Sequence, residues 1–271
     1  MSQLLRIISK ITAQKRAKDR YNIFLDDEYA FSIDQDTFIK ENIRKGKKLS
    51  EEDIERIQAT ENIQQAYLLA INFLSYRMRS IREMEQYLQK KEIAPHTIDL
   101  IIERLVKEKN LDNRAFAESF VKDRVLLTSK GPTVIKQELY EKGIAGSIID
   151  DALQHYSKEE QFDKVYKFVQ REVKKQTKHP HKKRMEQIRL TLMRRGFTND
   201  IISAVLAEVE VDVDKDEERE KVMKEGEKIY RRYARKHEGY ELRERCKAAL
   251  YQKGFPMDLI IEFIENKKET E

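Results

Sequence analysis

The sequence predicts a mainly α fold: an elongated tandem array of three-helix repeats with a small β-hairpin-containing cap at the N-terminus. Four segments share one helix–turn–helix pattern, all four prolines fall at expected helix junctions, and period-two alternation is confined to the N-terminal region. Apolar residues make up 39% of the 271 residues and charged residues 38%. This balance suits thin modules with much surface better than one compact core or a disordered chain.

Each copy of the repeated segment contains a leucine, a basic residue three positions later, usually a glycine, then Ile or Phe, and an isoleucine five positions after that. The copies align without gaps, and their Ile or Phe positions are 51, 53 and 58 residues apart. One irregular helical bundle with chance similarity at its helix ends would not keep this spacing. The copies span residues 88–102, 139–153, 192–206 and 250–264.

Glycines mark the predicted helix ends inside the repeat. Gly143, Gly196 and Gly254 each follow a basic residue, and glycine readily adopts the left-handed conformation that terminates a helix. The basic residue suits the negative end of the helix dipole. Because the first copy has Glu92 at this position, we expect its helix to be less well capped.

Capping signals predict further helices before each repeated segment. Ser80 with Glu83, and Ser157 with Glu160, have the spacing of a capping box, and Pro132 is a favoured first helical residue. Each repeat is therefore predicted to contain three helices. The predicted domains are a cap at residues 1–62 and repeats at 63–111, 112–156, 157–211 and 212–271.

The N-terminal cap has a different periodicity. Apolar and polar residues alternate over Tyr21–Leu25 and again over Tyr29–Ile33, on either side of an acidic turn at 26–28. This pattern predicts a β-hairpin, and residues 8–14 could add a third strand.

Two short helices are predicted to follow the hairpin. One contains Phe38 and Ile43, and the other begins at Ser50, with Asp53 as its capping-box partner. Whether this second helix continues into Ala66 stays open at the level of sequence.

The sequence contains no constellation typical of catalysis or metal binding. It has no Gly-rich phosphate loop or dinucleotide fingerprint, and nothing near His179 and His181 supplies further metal ligands. Cys246, the single cysteine, occupies an expected core position. We therefore expect a protein that is not an enzyme, with no catalytic, metal-binding or cofactor-binding residues.

Targeting signals are also lacking. No run approaches the roughly 18 apolar residues of a membrane span, and the N-terminus has no signal-peptide core. A single cysteine suits a reducing compartment. We expect a cytoplasmic protein without membrane contact.

Positive charge is concentrated in the second half of the chain, although the net charge is only +5. Residues 164–195 contain twelve Lys or Arg, opposed only by Glu172 and Glu186. An acidic segment at 208–220 separates them from basic residues at 231–236, beside Tyr230 and Tyr233, which fit a core stripe. Such clusters favour DNA or an acidic groove on a protein; the alternative is an ordinary solvated helix face.

Several short motifs combine in the first two repeats, namely Ser75-Tyr76-Arg77, Leu111-Asp112-Asn113, Phe116-Ala117 and Lys130-Gly131-Pro132. With these motifs, the helical part from about residue 66 onward resembles the RecX family of bacterial recombination regulators. The resemblance implies tandem three-helix repeats, binding to RecA in the helical groove of its filament on DNA, and control of RecA's ATPase, strand-exchange and coprotease activities. It implies no catalytic residues. A fourth unit after Asp214 and the β-containing N-terminal extension depart from the shortest members, and they bear on how far the chain spans the filament and on whether its effect is purely inhibitory.

We therefore expect a monomeric regulator that lies along the RecA filament, most often inhibits it, and contacts single- or double-stranded DNA directly or through RecA. Two alternatives stay open: an autonomous nucleic-acid-binding repeat protein, and a helical adaptor for another protein. The candidate contacts are twelve cations: Arg77, Arg79, Arg124, Lys130, Lys142, Lys182, Lys183, Arg184, Arg194, Arg195, Arg231 and Arg232.

Overall fold

A computed structural model describes residues 5–14, 19–175, 180–209 and 215–268. Within these ranges a small antiparallel sheet is followed by helices, so the predicted class, mainly α with three-helix units and a β-containing N-terminal region, is confirmed. The chain divides into two compact units, Met1–Phe116 with Lys142–Ile144, and Ala117–Glu141 with Ala145–Glu271.

The sheet of the first unit has the strand order β3-β2-β1-β4. Its strands are β1 (Arg6–Ala13), β2 (Arg20–Leu25), β3 (Glu28–Asp34) and β4 (Lys48–Leu49). The predicted hairpin is β2–β3, and β1 is the predicted third strand. Asp26 and Asp27 form the turn with φ of 51° and 70°, which matches the twist of the paired strands. Strand β4 was not predicted, because two residues are too few to show a period.

Two helices cover this sheet. Helix α1 (Gln35–Lys40) ends earlier than predicted, because the chain turns at Asn42, where φ is 46°. Ile43 is therefore buried in a loop, and its assignment to the helix was wrong. Helix α2 (Glu51–Ser75) has 25 residues, so the expectation of a short helix was also wrong. It carries Ile57 in the sheet core and continues past Ala66 into the core of the first helical group.

The remaining helices follow in groups of three along the described chain. The first group consists of α2, α3 (Ile81–Lys90) and α4 (Pro95–Lys107). The next groups are α5 (Asn113–Leu127), α6 (Pro132–Glu141) and α7 (Gly146–Leu153); α8 (Lys158–Val173), α9 (His181–Arg194) and α10 (Asn199–Val209); and α11 (Lys215–Tyr233), α12 (Gly239–Gln252) and α13 (Met257–Lys268). All three predicted capping boxes form, at the starts of α2, α3 and α8. The repeat boundaries stay a prediction, and the one at 62/63 falls inside α2.

The predicted turn after the second helix of each group is confirmed. Gly143, Gly196 and Gly254 have φ of 76°, 89° and 93°. Glu92 adopts the same left-handed conformation with φ of 60°, although its Cβ makes this cost about 1 kcal/mol or more. The first copy therefore keeps the geometry of the turn without the residue that favours it.

This turn lies against the start of the preceding group's second helix in three places. In the first unit, Ser80 at the start of α3 donates its hydroxyl to the Lys142 carbonyl oxygen at 2.8 Å. In the second unit, the Gly131 N–H, just before α6, donates to the Arg195 carbonyl oxygen at 2.7 Å. There too, a Cβ placed on Gly254 would lie 3.7 Å from the Cβ of Lys183 in α9. The turn that defines the repeat thus also makes packing contacts within each unit.

Candidate partner interface

Two of the candidate cations, Arg77 and Lys142, converge on the Glu83 carboxylate in the first unit. One Glu83 oxygen lies 3.1 Å from Arg77 Nη2 and 2.6 Å from Lys142 Nζ, while the other accepts the Ser80 N–H of the capping box. Burial by itself would raise the pKa of Glu83, but these hydrogen bonds outweigh it and lower the pKa to about 2. Glu83 thus neutralises part of this basic surface, a role for which the capping box was the only sequence signal.

Arg79 lies on an aromatic surface. Its guanidinium carbon is 3.9 Å from the centroid of the Phe73 ring, and Phe73 stacks on Tyr87 with ring centroids 3.9 Å apart. Burial, and then the neighbouring Arg77 charge, lower the pKa of Arg79. An arginine nevertheless stays charged at neutral pH, so this half-buried cation keeps a positive charge at the surface.

The second unit contains a similar arrangement around Glu138. Arg124 Nε lies 2.8 Å from the Glu138 carboxylate, and Lys130 pairs with its other oxygen. Burial would raise the pKa of Glu138, but the two cations lower it. Arg124 also lies 4.3 Å from the centroid of the Phe120 ring. These two cations therefore present less net charge to a partner than the sequence suggested.

Among the twelve candidate cations, those of helix α9 have the fewest partners within the described residues. Lys182, Lys183 and Arg194 are exposed, and within the described residues none of their side chains has an ion pair or hydrogen bond. The same side of α9 exposes Leu190 and Met193, whose exposed fractions are 45% and 50%. We call these five residues the α9 face. Because it combines unpaired positive charge with apolar surface, it is the strongest candidate for a partner contact.

The structure contradicts the choice of Arg184 as a contact residue. Its exposed fraction is 7%, and its Nη2 donates to the carbonyl oxygens of Glu172 and Lys175, each at 2.5 Å, and to that of Val173. Backbone carbonyls at a helix end lack intrahelical partners and carry partial negative charge. Arg184 therefore completes the C-terminal end of α8.

Two other cations of the basic cluster are also engaged within the fold. Lys164 donates its ammonium to the carbonyl oxygens of Val125 and Thr128 at the end of α5. Arg195 is half-buried, with its guanidinium 4.1 Å from the centroid of the Phe168 ring. Composition alone could not separate these side chains from the exposed ones. Lys178 of the same cluster lies outside the described residues.

The last helical group exposes Arg231 and Arg232 on α11. Arg231 Nε lies 3.8 Å from the Glu227 carboxylate, and the Arg232 guanidinium lies 4.8 Å from the centroid of the Tyr233 ring. Tyr230 and Tyr233 pack against the core of this group, which confirms their assignment to a core stripe. Both arginines remain accessible to a partner.

Cys246 is fully buried between Leu242 and Leu250, and burial raises the pKa of its thiol to about 11. This confirms the expected core position. The backbone N–H of His181 donates to the Glu218 carboxylate at 2.8 Å, whereas His179 and residues 210–214 of the acidic segment lie outside the described residues. In the ranges described, no cluster of three or more His, Cys, Asp or Glu could hold a metal ion.

None of the described helices has both the length and the apolar composition that a membrane span requires.

Four family models match the sequence. Regulatory protein RecX N-terminal domain matches residues 6–50, and the first, second and third three-helix domains of RecX match residues 66–105, 112–153 and 216–264. The third domain corresponds to α11–α13, so the segment after Asp214 and the N-terminal extension each match a domain of the family. Helices α8–α10 lie between the second and third matched segments.

Similar proteins carry the same description. A "Regulatory protein RecX" from Oceanobacillus iheyensis is 42% identical over 98% of this chain and 100% of its own, and one from Bacillus subtilis is 39% identical over 96% and 98%. A crystal structure of regulatory protein RecX matches 74% of this chain and 99% of its own at 31% identity, with a TM-score of 0.67. RecX from Lactobacillus salivarius matches 56% of this chain and 99% of its own at 29% identity, with a TM-score of 0.54.

Proposed function

Because the chain belongs to the RecX family of regulatory proteins, we propose that it regulates the RecA recombinase without catalysing a reaction itself. It binds as a monomer in the groove of the RecA–DNA filament in the cytoplasm, and it modulates, most often inhibits, ATP hydrolysis, strand exchange and coprotease activity. The observation that carries this proposal is the α9 face, where three cations without a side-chain partner among the described residues accompany two exposed apolar side chains.

The composition of the α9 face favours a protein partner with acidic groups. Complementary charge speeds and orients association. The exposed Leu190 and Met193, in contrast, stabilise a complex only when another apolar surface covers them. A bare phosphate backbone offers the charge but little apolar surface. An acidic groove wall within a nucleoprotein filament offers both.

The other accessible cations are proposed as secondary contacts. Those bound to Glu83 or Glu138 must give up or share their carboxylate partner to bind another anion, which reduces their net contribution. Arg79 and Arg195 lie on aromatic rings and are already oriented. The secondary set is Arg77, Arg79, Arg124, Lys130, Lys142, Arg195, Arg231 and Arg232.

The test is ATP hydrolysis by RecA on single-stranded DNA, followed as the purified protein is added up to a stoichiometric ratio. We expect wild-type protein to change the rate, and the triple variant Lys182→Glu, Lys183→Glu, Arg194→Glu to lose most of that effect. The matched control reverses three exposed lysines elsewhere, at positions 45, 48 and 107. If wild-type protein leaves the rate of ATP hydrolysis unchanged, the proposal is overturned. If the control variant loses as much of the effect as the triple variant, the role of the α9 face is overturned.

The same unpaired cations also suit a second candidate, autonomous binding to nucleic acid. This function predicts tight binding to DNA without RecA, with an affinity that falls steeply as salt concentration rises. Fluorescence anisotropy of labelled single- and double-stranded oligonucleotides across a salt series distinguishes the two candidates. RecA modulation that persists at a salt concentration where RecA-free binding has vanished favours the first.

A further inference from the structure

A cleft of about 290 Å³ lies between α8 and α9 in the second unit. Three cations, Lys175, Arg184 and Arg195, line it together with one carboxylate, Glu172. The Glu172 carboxylate forms an ion pair with Lys175, whose Nζ lies 2.6 Å from a carboxylate oxygen. We call this the α8–α9 cleft, and its lining carries two positive charges in excess.

Arg184 is incompletely satisfied in this cleft. Its Nη2 is committed to carbonyl oxygens at the end of α8, but its Nε is buried and, in the described part of the chain, has no hydrogen-bond partner. Buried polar groups are nearly always paired, and a charged donor left unpaired is costly. Since Nε itself is covered, Arg184 acts on an anion in the cleft through its positive charge, which no carboxylate among the described residues pairs with.

The other groups are arranged along one side of α9. Gln187 and Arg195 follow Arg184 by three and eleven residues, which places the three side chains on the same face of a helix. All three residues line the cleft. Phe168 of α8 holds the Arg195 guanidinium at 4.1 Å from its ring centroid. The donors are therefore positioned before a ligand arrives, so little side-chain entropy is lost on binding.

We propose that the α8–α9 cleft binds a phosphate-type oxyanion. The two excess positive charges match a dianionic phosphate group, and guanidinium donors suit phosphate oxygens. The group can be free inorganic phosphate or pyrophosphate, or a phosphodiester of a nucleic acid. This inference does not rest on RecA, because every lining residue belongs to α8, to α9 or to the residues that directly follow these helices.

The test is isothermal titration calorimetry of the full-length protein with pyrophosphate, inorganic phosphate and a short single-stranded oligonucleotide, at constant ionic strength set with sodium chloride. Arg195→Gln should weaken binding about tenfold or more, since a hydrogen bond to a charged group is lost. Arg44→Gln is the control, because it removes the same charge from an exposed position in the first unit that belongs to neither the cleft nor the α9 face.

Glu172→Gln provides an independent variant with the opposite sign. Removing the one carboxylate of the cleft should tighten binding of the same anions, so the test does not depend on whether Arg195→Gln folds.

A larger loss of affinity for the free anions in Arg195→Gln than in Arg44→Gln supports a small-ion site. The same difference for the oligonucleotide alone supports a phosphodiester. The proposal is overturned if the anions show no saturable binding, if both arginine variants lose the same affinity, or if Glu172→Gln does not tighten binding.

Discussion

Gly131 and Gly196 lie so close together that a Cβ atom placed on Gly131 would be 2.4 Å from the Gly196 carbonyl carbon. Gly196 needs to be glycine for a different reason, namely its backbone conformation, since its φ is 89°. The contact joins the start of α6 to the turn after α9 within the second unit. Two glycines in different repeats are therefore required together, one for space and one for backbone conformation.

Replacing Gly131 by alanine should destabilise the second unit. The added methyl group overlaps backbone atoms that cannot move without breaking the Gly131–Arg195 hydrogen bond, and overpacking of this kind costs about 1–3 kcal/mol. Gly239→Ala is the control: φ there is 56° and nothing lies within 4 Å of an added Cβ, so only backbone strain of about 1 kcal/mol applies. Urea unfolding measures both, and an unchanged midpoint for Gly131→Ala would falsify the packing argument.

Glu83 should make the first unit sensitive to acid. Its pKa is about 2 in the folded protein, below the ordinary value of 4.5. A carboxyl whose pKa is lowered by folding contributes stability above its unfolded pKa and loses it as pH falls through the folded pKa. The free energy of unfolding should therefore lose roughly 3 kcal/mol of this contribution between about pH 4.5 and pH 2.

The measurement compares wild-type protein with Glu83→Gln across that pH range. The variant should be less stable at neutral pH, and the difference should shrink as pH falls towards 2. Glu103→Gln, at an exposed position, is the control and should leave the acid-induced decline of the wild type in place. A difference between wild type and Glu83→Gln that is constant with pH would contradict the assignment.

Arg184 and its neighbour Lys183 should behave in opposite ways. Arg184→Met leaves three carbonyl groups at the end of α8 without their donor, and we expect a loss of about 3 kcal/mol in the free energy of unfolding. Lys183→Met removes an exposed charge that has no ion pair in the part of the chain that the structure describes, and it should change stability by less than about 0.5 kcal/mol. Thermal and urea unfolding of the two variants decide this. Equal stability would mean that Arg184 does not complete the helix.

The apolar part of the α9 face should matter for a protein partner and not for DNA. Leu190→Ser with Met193→Ser should weaken the effect on RecA ATP hydrolysis but leave RecA-free binding to DNA unchanged, because serine removes apolar area without altering charge. The control is Leu126→Ser with Leu127→Ser, which are 71% and 80% exposed on α5. Equal loss of DNA binding and RecA modulation would argue for nucleic acid as the direct partner.

Much of the fold was predictable because its signals are local. The capping boxes at Ser80 and Ser157, the turn at Gly196 and the alternation through Ile23 each depend on a few consecutive residues, and backbone sterics and side-chain periodicity act at that range. Errors occurred where distant packing decides. Ile43, predicted in a helix, lies in a loop and packs in the sheet core. Helix α2 is longer than predicted because its residues pack in both the sheet core and the core of the first helical group.

The sequence by itself determined the helical repeats, the left-handed turns that end their second helices, and the concentration of positive charge in the second half of the chain. Only the tertiary structure decided which of those charges are available. Arg184 and Lys164 donate to backbone carbonyl groups inside the fold, and Lys142 pairs with the Glu83 carboxylate. Lys182 has no ion pair with any residue that the structure describes. The reason is physical: a charge is neutralised by groups within a few ångströms, and those groups come from distant parts of the chain.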